Sequence, residues 1–291
     1  MYNPFVNNND ETAKDSELIH LALKGSQKAL ASLISRHQAW IYNVAFRMVM
    51  VAEDAEDITQ EILIKVITKL SSYDSKKASF RTWLYRIVTN HVINMKKSGY
   101  EKSITTPDEY YSFIERTPDE EFTPTPETNL FIEDLATSCI LGILLCLDRQ
   151  QRLVFILSVG FNVTSDQGGE IMDISNEAFR KTLSRTRKKL YNFMNNKCGL
   201  LSENAPCKCR NKISVFIKQG YYKRDNLKFY RENPVKLNEL VSDTVDRYND
   251  SIHSDFVKLY REHPFYEAPD LTEWLKKTLE KKKFKEIFDL D

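Results

Sequence analysis

Glycine is scarce in this chain, with eight among 291 residues, and strictly alternating apolar runs are few. Both scarcities argue against a sheet-rich protein and for an all-α one. No basic start followed by an apolar stretch occurs, and no apolar run reads as long enough to span a bilayer, so neither export nor a membrane partner is expected. Cysteine is sparse and odd in number, at five. Without an export signal, that count fits a reducing cytoplasm and not a disulfide framework. No paired carboxylates, Ser/His/Asp set or phosphate-cradling glycine loop stands out, so no catalytic residue is assigned and no enzyme is expected. The hydrophobic fraction of 42% is enough for packed cores, and the length suits two or three domains. The net charge of +1 conceals segregation. Residues 101–134 hold ten acids against two bases, while Arg180 to Lys189 holds bases alone. That asymmetry points to nucleic acid at one place and repulsion from it at another.

The basic stretch is the most informative one. Over Ile174 to Leu190, Phe179, Leu183, Thr186 and Leu190 recur at three- and four-residue spacing, and Phe193 continues the stripe. The pattern predicts a helix with one apolar face and a strongly basic opposite face. Ser175 stands where an N-cap is needed, and Glu177 lies in the first turn, where the helix dipole favours an anion. A short basic helix with one buried side suits the major groove of DNA; a solvated amphipathic helix is the plainer alternative.

Along the chain, residues 1–14 are polar and Asn-rich, the composition of a disordered segment. Residues 15–98 predict four helices: Ser16 to His37, Trp40 to Val51, Glu53 to Leu70 and Phe80 to Lys97. Residues 99–129 contain Pro107, Pro118, Pro124 and Pro126 and many acids, and read as an extended acidic linker without a core. A second helical unit covers 130–197, a cysteine-containing turn 198–209, and a charged helical extension 210–291. In that extension Lys228 to Pro234 (KFYRENP) returns as Lys258 to Pro264 (KLYREHP), a two-copy repeat that suggests paired helical hairpins.

Three stretches resemble one family. DAEDITQE, from Asp54 to Glu61, is similar to the DAEDLVQE helix of the extracytoplasmic-function (ECF) sigma factors of bacterial RNA polymerase. FRTWLYRIVTN, from Phe80 to Asn90, resembles the family's FRAWLYRIARN. Leu147 to Leu190 resembles its region 4, from LPEEQREVF onward, without a gap. The resemblance implies an all-α fold of a region 2 helical unit and a region 4 helix-turn-helix, with core RNA polymerase and promoter DNA as partners and an anti-sigma factor as a further one. It implies that Asp54, Asp57, Gln60, Glu61, Ile64 and Lys65 face the polymerase. It places Tyr73, Lys76, Lys77, Arg81, Trp83, Arg86, Asn90, Lys96 and Lys97 at the −10 element, where basic groups hold phosphate and aromatics meet an unpaired base. From its spacing with Ile87, Trp83 reads as a core residue before a stacking platform. At the −35 element the implied set is Asn176, Arg180, Lys181, Ser184, Arg185 and Lys188. The chain departs from the family pattern at Thr89 and Asn94, at Gly168 and Gly169 in the first helix of the helix-turn-helix, and at Asp173 in its turn. A glycine inside a helix costs about 1 kcal/mol relative to Ala, so a weakened element is expected.

Cys198, Cys207 and Cys209 offer three soft ligands where structural zinc takes four. A fourth would come from Cys139, Cys146, His253 or His263, or from a partner. A redox pair and incidental reduced thiols are the alternatives, and no cofactor is otherwise expected. The function classes in play are therefore an ECF-type sigma factor, a sigma-derived DNA-binding regulator that does not sustain initiation, and a redox- or metal-responsive interaction protein.

Overall fold

The computed structural model describes residues 9–96, 99–103, 106–121, 123–223, 227, 260 and 268–280. Among these the regular elements are helical: α1 (Asn9–Leu23), α2 (Gln27–Val49), α3 (Ala52–Lys69), α4 (Phe80–Asn94), α5 (Gly99–Ser103), α6 (Pro107–Glu115), α7 (Pro126–Gly142), α8 (Arg149–Phe155), α9 (Ser165–Met172), α10 (Asn176–Lys197), α11 (Cys209–Lys218) and α12 (Thr272–Leu279). The chain forms two compact units. The first comprises residues 1–98, 156–180 and 265–291, the second 99–155 and 181–264.

In the first unit, α2 is the central element. Trp40, Ile41, Val44, Ala45 and Met48 are fully enclosed, and the Trp40 ring lies 4.1 Å from Tyr85 of α4 and 5.5 Å from Phe161. From α3, Ala55, Ile62, Leu63, Val66 and Ile67 close the other side. The expected break between the first two helices moves toward the N-terminus. Gly25 takes a left-handed φ of 91°, and the Ser26 hydroxyl accepts from Ala29 N–H to start α2. The chain is therefore helical through Gln38 and Ala39, where a break was expected, and is interrupted at Lys24–Ser26 instead. Three side-chain nitrogens meet the buried Asp15: Arg36 Nε at 2.9 Å, Arg81 Nε at 3.2 Å and His37 Nε2 at 3.4 Å.

The second unit corrects the expectation of an extended linker. Pro107 and Pro126 occupy first-turn positions of α6 and α7, where a missing N–H costs nothing, and Thr106 and Thr125 cap those helices. Two of the four prolines thus begin helices. Glu101, counted among the acids of a solvated run, is enclosed: Arg149 donates Nε and Nη2 to its two oxygens at 2.9 and 2.6 Å, and Arg152 Nη1 donates at 3.0 Å. Arg152 also donates to the carbonyls of Leu144, Leu145 and Leu147. Burial opposes the Glu101 charge, but the two guanidiniums outweigh it and hold the carboxyl below the usual range. Glu120 accepts from Ser214 at 2.8 Å and Lys218 at 2.6 Å, which ties the acidic segment to α11.

The expectation about apolar runs also needs correction. Pro126–Cys146, 21 residues of mean hydropathy 1.6, is long and apolar enough to cross a membrane. Here Phe131, Ile140, Leu141 and Leu144 are buried within the second unit, so the stretch serves as its core.

Much of the extension, including both copies of the repeat except Tyr260, lies outside the described residues, as do His253, His263 and Lys97. Its described parts are packed. Leu271, Leu275 and Leu279 are buried on the first unit, where α12 lies against α2. In the second unit α11 packs on α7, and Tyr260, 1% exposed, sits edge-on 4.8 Å from Phe155 with its hydroxyl 3.5 Å from Met194 Sδ.

Candidate nucleic-acid interface

An open groove of about 920 Å³ runs between α3 and α4. Asp54, Asp57, Glu61 and Lys65 line it from α3, and Asn90, His91, Asn94 and Lys96 from α4 and its end. Gln60 and Ile64 stand beside it on α3, Gln60 donating to Glu56 at 3.3 Å. Two sets of residues assigned to different partners thus border one groove. At its floor Lys65 Nζ lies 2.5 Å from His91 Nδ1, and Glu61 Oε2 lies 3.3 Å from Nε2. Burial, then the Lys65 charge, pushes the His91 pKa down, and Glu61 only partly restores it. The imidazole is therefore neutral, with Nδ1 accepting from Lys65 and the proton on Nε2. His91 was not singled out in the sequence, because a histidine on an apolar helix face carries no pattern of its own.

The start of α4 carries an aromatic cluster. Tyr73, Phe80 and Trp83 stand 5.5 to 5.6 Å apart, centroid to centroid. Trp83 is half-buried, neither a core residue nor a free plate. The preceding loop is shaped by Tyr73 Oη donating to Ala78 O and by Lys76 N–H donating to Asp74 Oδ1, and it presents Lys76 and Lys77 to solvent. Ser79 caps α4 by accepting from Thr82 N–H at 3.1 Å.

Other −10 candidates are engaged within the protein. Arg81 pairs with Asp15. Arg86 Nε donates to Glu170 O at 2.9 Å, and Thr89 Oγ1 donates to Ile171 O at 3.3 Å. The departure at Thr89 thus has a structural role: its hydroxyl caps the C-terminal end of α9 and is 1% exposed. Asn90 and Lys96 remain exposed.

The helix-turn-helix is locally complete. Thr164 and Gln167 form a capping box at α9. Asp173 closes it in the left-handed conformation, φ 56°, its N–H bonded to Gly169 O. The two glycines that promised weakness turn out to be required. A Cβ on Gly168 would stand 2.3 Å from the Phe179 ring, and one on Gly169 2.7 Å from Asn176 Oδ1 and 2.9 Å from Ile174 O. Their helix cost is offset by the close approach of α10. Ser175 accepts from Ala178 N–H at 3.1 Å, as an N-cap should. Asn176, Arg180, Lys181, Ser184, Arg185 and Lys188 are all exposed, while Phe179, Thr186 and Leu190 are fully buried. Asn176 also donates to Asp166 of α9 at 2.5 Å, which fixes the first residue of the exposed stripe.

In the cysteine-containing turn, Cys198 and Cys207 are partners in an isolated parallel β-bridge. All five cysteines are free, and among the described residues no group of three His, Cys, Asp or Glu already stands in metal-ligand geometry.

Residues 33–99 match the family model of sigma-70 region 2, and residues 137–190 that of sigma-70 region 4. The chain thus matches the models of these two sigma-70 regions, in this order. Its curated relatives include proteins of the ECF class. It is 39% identical over 80 residues to the ECF RNA polymerase sigma factor SigW of Bacillus subtilis (strain 168), covering 26% of this chain and 42% of that one. It is 26% identical over 174 residues to the ECF RNA polymerase sigma factor SigE of Mycolicibacterium smegmatis, covering 58% of this chain and 64% of that one. It is 37% identical over 84 residues to the ECF RNA polymerase sigma-E factor of Escherichia coli (strain K12), covering 29% and 43%. The chain thus spans from under half to just under two thirds of the length of these relatives. Among solved structures, CnrH in complex with the cytosolic domain of CnrY matches 62% of this chain and 97% of its own, at TM-score 0.44 and 21% identity.

Proposed function

We propose that this protein is an ECF-type sigma factor of the cytoplasm. It binds core RNA polymerase, recognises the −10 and −35 promoter elements and promotes DNA opening. It acts by binding and not by catalysis. Residues 15–98 serve the polymerase and the −10 element, 99–129 join the two regions, 130–197 read the −35 duplex, 198–209 form the turn, and 210–291 are an extension. The observation that carries the reading is the exposed stripe Asn176, Arg180, Lys181, Ser184, Arg185 and Lys188 on α10. It sits on a capped helix-turn-helix whose close packing fixes its orientation, as duplex readout requires. The α3 groove supports the polymerase assignment: its acids alternate with Ile58 and Lys65, the mixed surface of a non-obligate interface. An anti-sigma factor remains a partner class that the family implies.

One observation favours the second reading, a DNA-binding regulator that does not sustain initiation. Arg86 and Thr89 of α4 are spent on the carbonyls of α9. In the sigma reading, α9 must leave α4 before these groups meet the −10 strand. Run-off transcription with purified core enzyme on a mapped promoter separates the two: transcripts starting at one position support the sigma reading, and promoter binding without transcripts supports the regulator.

A further inference from the structure

Cys198, Cys207 and Cys209 share a pocket with Cys139 of α7. The pocket, about 30 Å³, lies in the second unit, with α6, α7, α10, the turn and α11 in its walls. That volume suits one small ion or water. Its remaining lining includes Ile140, Met194 and Tyr111, with no carboxylate among the residues that line it. The topology therefore supplies the fourth thiol that the C-x8-C-x-C spacing lacks. Cys146 is not part of this lining.

The turn is built around the sulfurs. Gly199 N–H donates to Cys207 O at 2.9 Å and Cys207 N–H to Lys197 O at 3.2 Å, which registers Cys198 beside Cys207. A Cβ on Gly199 would meet Cys207 O at 2.8 Å, so glycine is required for this approach. Leu201 N–H donates to Cys198 O at 3.1 Å, and the backbone N–H groups of Leu200 and Leu201 near the sulfur favour the thiolate. Burial acts the other way and raises the pKa of Cys198; burial and the neighbouring sulfurs raise that of Cys139 and Cys207 and push that of Cys209 up to about 12. Four half-buried thiols gathered in one pocket, whose thiolates would repel, are what a cation relieves.

We propose that Cys139, Cys198, Cys207 and Cys209 form a tetrathiolate site for one thiophilic divalent cation of the zinc or cadmium type. An all-sulfur set with apolar walls selects soft or borderline metals over calcium or magnesium. On loading, four S–H bonds break, four metal–sulfur bonds form and four protons pass to solvent; no electron is transferred. The resulting double negative charge lies near Lys208 and Lys212, both of which act on Cys207. The thiols do not yet stand in ligand geometry, so binding draws the side chains inward and fastens α7, the end of α10 and α11 together. The site thus responds to the cation instead of holding it permanently. A disulfide between the bridge partners is the competing chemistry, since their backbones lie about 5 Å apart. Their raised pKa keeps thiolate scarce and slows that reaction.

The test uses the full-length, reduced protein without oxygen. Cadmium titration should give a sulfur-to-cadmium charge-transfer band saturating at one ion per chain, and zinc should displace it. Cys139→Ser and Cys207→Ser should each weaken binding by at least about tenfold, with helix content by circular dichroism unchanged; Cys146→Ser should not weaken it. Absence of the band overturns the proposal. So does a band indifferent to Cys139→Ser, or a two-proton mass loss on peroxide treatment without metal uptake. Binding is read without DNA or polymerase, so its failure is distinct from failure of the sigma reading, on which only its consequence for α10 rests.

Discussion

Asp15 carries an unusual share of the first unit's electrostatics. Burial opposes its charge, but the hydrogen bond and charge of His37, then those of Arg36, more than offset this and bring its pKa from 3.8 to about 2. The group binds its proton more weakly in the folded state. Its contribution is therefore complete above pH 3.8 and is lost as pH falls through about 2. A shift of that size is worth about 2 kcal/mol. Asp15→Asn should lower unfolding stability at pH 7 by about that amount, and the gap to the parent should narrow between about pH 4 and 2 in urea titrations. A gap independent of pH would show that packing, and not charge, holds this corner. Asp15 lies on an amphipathic helix among other polar residues, and nothing in its spacing announced Arg36 and His37 of α2 and Arg81 of α4 as its neighbours.

At the scale of the element, the helix-turn-helix offers two tests. Gly168→Ala puts a methyl group where the Phe179 ring lies, 2.3 Å away. Although Ala favours helices, the substitution should destabilise by about 1–3 kcal/mol, and Phe179→Leu in the same chain should recover part of the loss. Thermal melts check both; a stabilised Gly168→Ala would mean that α9 stands further from α10. The second test concerns duplex affinity. Arg185→Ala and Lys188→Ala should each weaken binding to a −35 duplex and reduce the slope of log affinity against log salt by about 0.9. An unchanged slope in fluorescence anisotropy would remove these residues from the phosphate contacts. The basic stripe was plain from its period of 3.6 and its missing acids. The need for glycine was not, because a sequence records the helix cost of glycine but not the ring beside it.

For the whole molecule, the described residues of the extension are packed into the structure. Tyr260, enclosed against Phe155 and Met194, is the clearest case. Tyr260→Ala should cost about 3 kcal/mol or more, as truncation of a buried aromatic does. Guanidinium unfolding followed by circular dichroism measures it, and a negligible loss would make the contact incidental. The polymerase reading is tested by Asp57→Arg with Glu61→Arg. Together they should weaken binding to core enzyme by at least about tenfold, since like charge replaces complementary charge at a rim, with helix content preserved. Equal affinity in a fluorescence titration would dismiss the α3 face as the docking surface.

Periodicity, capping residues and charge runs are local properties, and they were sufficient for the helical class, the limits of α3, the basic stripe on α10 and the resemblance at Asp54–Glu61, Phe80–Asn90 and Leu147–Leu190. Pro107 and Pro126 show where local reading stops: the same residue breaks a helix or begins one, and only the cap formed by Thr106 or Thr125 decides which. Glu101 shows it again, since a carboxylate in an acidic run is solvated until Arg149 and Arg152 arrive from fifty residues away. The gathering of Cys139 with Cys198, Cys207 and Cys209, the hold of Arg86 and Thr89 on α9, and the shared groove of α3 and α4 likewise depend on contacts between distant segments. Burial and pairing are properties of the packed chain, and spacing along the sequence carries no distance between helices.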